Sequence, residues 1–111
     1  MAFDEELAAR IRKLVGKRRG LAEKKMFGGI AFLLNGNMCC GVHREEMIVR
    51  IDPEGTGAAL KRPHVRIFDI SGRPMKGWIL VSAAGVAGES ALSKWVEAGV
   101  AYASSLPAKR K

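Results

Sequence analysis

The sequence predicts an α+β domain of two layers, a five-stranded antiparallel sheet with its helices on one face, in the order α-β-β-β-α-β-β-α. Three observations point there. Apolar residues recur at helical spacing near both ends of the chain, short apolar runs bounded by turn residues fill the middle, and Asn35-Gly36 supplies a strong hairpin signal. With 111 residues, one core can bury roughly two thirds of the surface of the unfolded chain without cross-links. One domain is expected over residues 1–107, followed by a basic, disordered tail at 108–111.

Phe3, Leu7, Ile11, Leu14 and Val15 form the stripe of the first helix, with acids in its first turn and bases toward its end, as the helix dipole favours. The helix is expected to stop between Gly16 and Gly20, where Lys17, Arg18 and Arg19 are too polar for the buried stripe. Residues 26–34 and 37–42 then read as two strands joined at Asn35-Gly36. A two-residue turn sets Leu34 opposite Asn37, Leu33 opposite Met38, Phe32 opposite Cys39 and Ala31 opposite Cys40. On that register one face packs on helices and the other is semi-exposed.

His43-Arg44-Glu45-Glu46 is a second turn, and residues 47–51 alternate with Met47, Val49 and Ile51 toward the core. Asp52-Pro53-Glu54 reads as helix cap, first helical residue and dipole-favoured acid, opening a short helix to about Lys61 that Gly55 and Gly57 weaken and Pro63 closes. Residues 65–70 and 78–81 are the fourth and fifth strands, with a basic loop between them. After a flexible link at 83–88, Ser90 is expected to cap a helix with the stripe Leu92, Trp95, Val96, Gly99, Tyr102, Ala103 and Leu106, ended by Pro107.

Charge and targeting signals narrow the function classes. The net charge is +8, from 19 Lys and Arg against 11 Asp and Glu, and eight of the bases lie between Arg10 and Lys25. Such an excess serves nucleic acid or an acidic partner, or keeps a small protein dissolved. Asp4, Glu5 and Glu6 follow Phe3 where a leader would be basic and then apolar, and no apolar stretch approaches the ~20 residues of a bilayer span. A cytoplasmic protein without a membrane partner is the expectation.

The chemistry-bearing residues give no catalytic pattern. Cys39 and Cys40, as strand neighbours, are expected on opposite faces, and only His43 and His64 remain to complete a metal site, so both thiols read as small core residues. His43 falls in a turn and His64 beside Pro63, neither with a nucleophile or acid in a triad pattern. Gly28-Gly29 after Lys24-Lys25 lacks the helix and the Gly-Lys-Ser/Thr ending of a phosphate loop, so a bulge or close crossing is the plainer reading. Gly55-Thr56-Gly57 lies inside a weak helix instead of at a strand-to-helix turn, and Met26, Met38, Met47 and Met75 suit gap-filling. No catalytic residue, cofactor or metal is assigned. The candidate interface for an anionic partner is Lys17, Arg18, Arg19, Lys24, Lys25, Arg73 and Lys76.

The order of motifs is more specific than any one of them. Lys24-Lys25-Met26-Phe27-Gly28-Gly29, the hairpin to Gly41, Met47-Ile48-Val49-Arg50, Pro63-His64-Val65, Gly72-Arg73-Pro74-Met75-Lys76-Gly77-Trp78 and Trp95-Val96 together resemble the TfoX N-terminal domain family, from about Leu7 to Pro107. The resemblance implies a bacterial two-layer α+β domain. Longer members of that family regulate competence genes, acting like coactivators beside the cyclic-AMP receptor protein, and carry a helical second domain. This chain ends at Lys111, which implies a standalone counterpart of the first domain. No catalytic residues carry over from the family motif.

Two functions therefore stand in front. One is a non-enzymatic regulatory module that binds a protein partner, in transcription or competence regulation; the other is direct nucleic-acid binding through the basic surface. An enzyme ranks third, and the residues leave the oligomeric state open, a homodimer included.

Overall fold

The structure, a computed structural model, describes residues 4–16, 20–26, 29–69 and 76–107. Helix α1 spans Glu5–Val15; its N-cap Asp4 accepts from the backbone N–H groups of Glu6 and Leu7, both at 3.0 Å. It ends at Gly16, whose φ of 64° is a conformation that side chains rarely adopt. Leu7, Ala8, Ile11 and Val15 are buried and Leu14 packs beside them, as the spacing predicts. Lys17, Arg18 and Arg19 lie outside the described residues, as do Phe3 and the tail.

Among the described residues the sheet has six strands, where the sequence predicts five. Strand β1 is Leu21–Met26 and β2 is Gly29–Leu34, so the apolar run expected as one strand is a strand end, a two-residue connection and a second strand. Ala22-Glu23-Lys24-Lys25 gives no apolar alternation because β1 is an edge strand and all four residues are exposed. Gly29 fits the close-approach reading: a Cβ there would overlap the carbonyl of Val42 in β3, Asn37–His43.

The Asn35-Gly36 turn is as expected, with φ of 53° and 83°. Leu34 pairs with Asn37 and Leu33 with Met38, but the register then slips, so that Phe32 faces Cys40 and Ala31 faces Gly41. Phe32–Cys39 and Ala31–Cys40 are thus corrected by one residue. The extra residue in β3 is a bulge, which locally breaks the alternation of faces. Both cysteines consequently belong to the same helix-side core, with their Sγ atoms 3.9 Å apart.

Strand β4, Glu46–Arg50, pairs with β3 and with β6, Trp78–Val81, and β6 pairs with β5, Val65–Ile67. The order β1-β2-β3-β4-β6-β5 is antiparallel throughout. His43, expected in a turn, ends β3, leaving Arg44 and Glu45 as the connection. Asp52 caps a 3-10 turn, Pro53–Gly55, that leads into α2, Thr56–Leu60. Strand β5 stops at Ile67 instead of Ile70, yet Phe68 still donates its N–H to the carbonyl of Trp78.

The expected flexible link contains a 3-10 turn, Ala83–Val86, anchored by buried Val86. Helix α3, Glu89–Ser104, follows Gly88, so Ser90 lies inside the helix and is not its cap. Its buried stripe is Leu92, Trp95, Val96, Gly99, Val100 and Ala103; Tyr102 and Leu106 are half-buried. All three helices contribute to one core with Phe32, Val42, Met47, Val49, Ile79 and Val81, on one face of the sheet. Ala31, Met38, Ile48, Phe68 and Leu80 make a separate apolar cluster on the other face.

Candidate interaction surface

Of the basic residues proposed from the sequence, the structure describes Lys24, Lys25 and Lys76, and these three lie apart. Lys24 and Lys25 are exposed on the edge strand β1, while Lys76 is exposed in the turn before β6, four strands away. At ~4.8 Å between strands, that is roughly 19 Å. Lys17, Arg18, Arg19 and Arg73 lie outside the described residues. Lys24 and Lys25 also point apart: Lys25 opposes Ile30 of the helix-side core, and Lys24 opposes Ala31 of the other cluster.

Several other bases are already engaged. Arg12 of α1 holds Glu23 of β1 through two hydrogen bonds of 2.6 and 2.8 Å, and its guanidinium keeps the Glu23 carboxyl below the usual glutamate range against the opposing effect of partial burial. Arg66 grips Glu46 in the same two-pronged way, at 3.0 and 2.7 Å, and also reaches Asp69. Arg10 ties α1 to the start of α3 through Glu89 at 3.0 Å. Lys24 and Lys25 have no acid partner among the described residues.

The stacking of arginines on aromatic rings is a second grouping, which the sequence reading did not identify. The guanidinium of Arg50 lies 5.0 Å from the ring of Trp78, its cross-strand partner, and 5.5 Å from that of Tyr102 on α3. Arg62 stacks similarly on Trp95, at 4.3 Å. The 4-to-6 pairing of strands would have revealed Arg50 beside Trp78; nothing local in the sequence announces Tyr102.

The described part of the motif loop has a structural role. Gly77, at a φ of 84°, donates its N–H to Oγ1 of buried Thr56 at 2.8 Å, and its carbonyl accepts from the N–H of Ile51 at 2.7 Å. Thr56 Oγ1 in turn donates to the carbonyl of Pro53. The loop end is therefore latched to the 3-10 turn, which sets Trp78 at the start of β6. Met26 pairs with Gly29; Phe27, Gly28, Gly72, Pro74 and Met75 lie outside the described residues.

The thiols are poorly placed for reactivity. Both are fully buried, Cys39 Sγ lies 3.3 Å from the carbonyl of Phe32, and the contact with Cys39 and burial together push the Cys40 thiol well above its usual range. Among the described residues no group of three potential metal ligands comes together. A cleft of about 260 Å³ beside the start of α1 is lined by Asp4, Glu6, Leu7, Arg10, Glu45 and Val86, among others. Its charges are mixed. No helix among the described residues is long and apolar enough to cross a membrane.

Compared with known proteins, residues 13–103 match the family model described as the TfoX N-terminal domain. No curated protein and no solved structure matches the chain. The family match spans α1 from its last turn through nearly all of α3, and so takes in the whole sheet, the Gly77 latch and the Arg50–Trp78 pair. The chain belongs to the TfoX N-terminal domain family.

Proposed function

We propose that this protein is a regulatory protein-interaction module, without chemistry of its own, that acts in transcription or competence regulation in the bacterial cytoplasm. The observation that carries the reading is the family match over residues 13–103. The surface supports it: exposed Lys24 and Lys25, free of acid partners among the described residues, offer contacts to an anionic protein.

The test is affinity capture from the native cell at moderate salt, followed by mass spectrometry and reconstitution with the purified partner. A regulatory protein that co-purifies in fixed proportion supports the module. Charge reversal at Lys17, Arg18 and Arg19 is expected to weaken that complex at low salt and less at high salt, because the attraction is screened.

The net charge of +8 favours direct nucleic-acid binding as the second reading. A duplex of random sequence, bound with a steep loss of affinity as salt rises and weakened by the same reversals, supports that reading. Binding to DNA without any captured protein removes the module.

A further inference from the structure

We propose that the outer edge of β1 receives an acidic, extended segment of the protein partner as a seventh strand. This deepens the protein-interaction reading and rests on it. Strand β1 is a six-residue edge, longer than the three-residue β5 at the other side of the sheet. Its backbone has a row of groups to offer. The Asn35 N–H donates to the carbonyl of Gly20 at 2.9 Å, so the Gly20–Asn35 position is a hydrogen-bonded pair. Such pairs alternate along an antiparallel ladder, so Ala22, Lys24 and Met26 exchange bonds with β2, and the N–H and C=O groups of Leu21, Glu23 and Lys25 face outward. An edge of this kind is a template for a further strand.

The side chains specify the charge of that strand. Glu23 is held by Arg12, which leaves Lys24 and Lys25 as the unmatched charges of the edge. They stand on opposite faces, Lys25 on the helix side and Lys24 on the other. Successive residues of an added strand also alternate faces, so two adjacent acids meet both lysines, whichever way the strand runs. Residues 22–25 are exposed, and among the described residues no strand pairs with the outer side of β1.

A second copy of the chain fits less well. Residues opposed across a strand pair share a face, so a symmetric β1–β1 pairing is centred on a single residue. Centred on Glu23 or Lys25, it sets like charges directly against each other, which is destabilising. Centred on Lys24, it opposes the two Lys24 side chains while its Glu23–Lys25 pairs draw on a carboxylate that Arg12 already holds, and centred on Ala22 it gives Lys24 no acid. The same lysines thus discourage self-pairing and select an acidic partner.

The experiment titrates the full chain with a short peptide carrying two adjacent glutamates in a Val/Thr-rich background and follows amide hydrogen exchange. Leu21, Glu23 and Lys25 are expected to exchange several-fold more slowly in the complex, while Ala22 and Lys24, already bonded to β2, change little. A peptide of equal charge with prolines at alternate positions is expected to lose this protection. A Lys24→Glu/Lys25→Glu protein, shown to melt like the parent, is expected to prefer a peptide with lysines in place of the glutamates. Absence of protection by the acidic peptide, or equal protection by the proline peptide, overturns strand addition. Protection that grows with protein concentration alone assigns the edge to a second copy and also overturns it. The two readings fail separately: a partner captured equally by the parent and the double variant, with β1 amides unprotected in that complex, removes the edge proposal and leaves the module standing.

Discussion

Gly99 of α3 lies directly on the carbonyl of Cys39 in β3, so closely that a Cβ at residue 99 would overlap that oxygen. The glycine lets the helix settle against the bulged part of the sheet. Gly99→Ala gains up to about 1 kcal/mol of helix propensity, but forcing the helix off the strand costs typically about 1–3 kcal/mol. A lower urea midpoint is expected; an unchanged or raised midpoint contradicts this packing.

Gly36 has a φ of 83° in the turn between β2 and β3. Gly36→Val is expected to destabilise by more than ~1 kcal/mol, since a β-branched residue is strained there. Thermal unfolding measures it, and an unchanged melting temperature rejects the turn's control of register.

Thr56 Oγ1 is the acceptor for the N–H of Gly77 in a buried setting. Thr56→Val keeps the shape and removes that acceptor, which costs about 1–3 kcal/mol when the donor stays buried. Denaturant unfolding should show the loss, and faster exchange of the Gly77 amide would locate it. Exchange at Gly77 unaltered by the substitution would sink the latch.

The two thiols are buried in the helix-side core and Cys40 is held in its neutral form. Iodoacetamide at neutral pH is expected to leave the native protein unlabelled and to modify both cysteines once denaturant is added. Purified protein is expected to carry no stoichiometric zinc. Zinc that disappears in a Cys39→Ala/Cys40→Ala protein would overturn this assignment.

The Arg12–Glu23 bridge gives a pH dependence of known sign. Its Glu23 carboxyl is shifted down in the folded state, so the bridge stabilises at neutral pH and that contribution fades as pH falls through and below the usual glutamate range. The pair is largely solvent-exposed, so the contribution is at most about 1 kcal/mol. Melting curves of the parent and Glu23→Gln should differ slightly at pH 7 and converge in acid; a gap that widens in acid contradicts the sign.

Much of the fold was legible because it depends on local chemistry. Apolar spacing located α1, the body of α3 and β6; Asn35-Gly36 located its turn; Asp52-Pro53 located the start of the 3-10 turn and α2. The missed strand β1 shows the limit of that signal. An edge strand exposed on both sides has no buried face to impose alternation, and its pairing with β2 stabilises it regardless. Of the candidate interface, Lys24 and Lys25 are exposed, and their division between the two faces depends on that unseen strand.

The sequence by itself determined the class of the domain, its helix-bearing face and the turn between β2 and β3, because these follow from periodicity and from backbone conformations that only certain residues accept. It also carried the family, through the order of its motifs. Tertiary structure decided what neighbours meet. The slip between Phe32 and Leu33 turned both cysteines into one core, the β4–β6 pairing brought Arg50 to Trp78, and α3 added Tyr102 from more than fifty residues away. A bulge is chosen by the fit of the whole sheet against its helices, and a stacked arginine by the approach of distant elements, so neither leaves a mark in a local window of sequence.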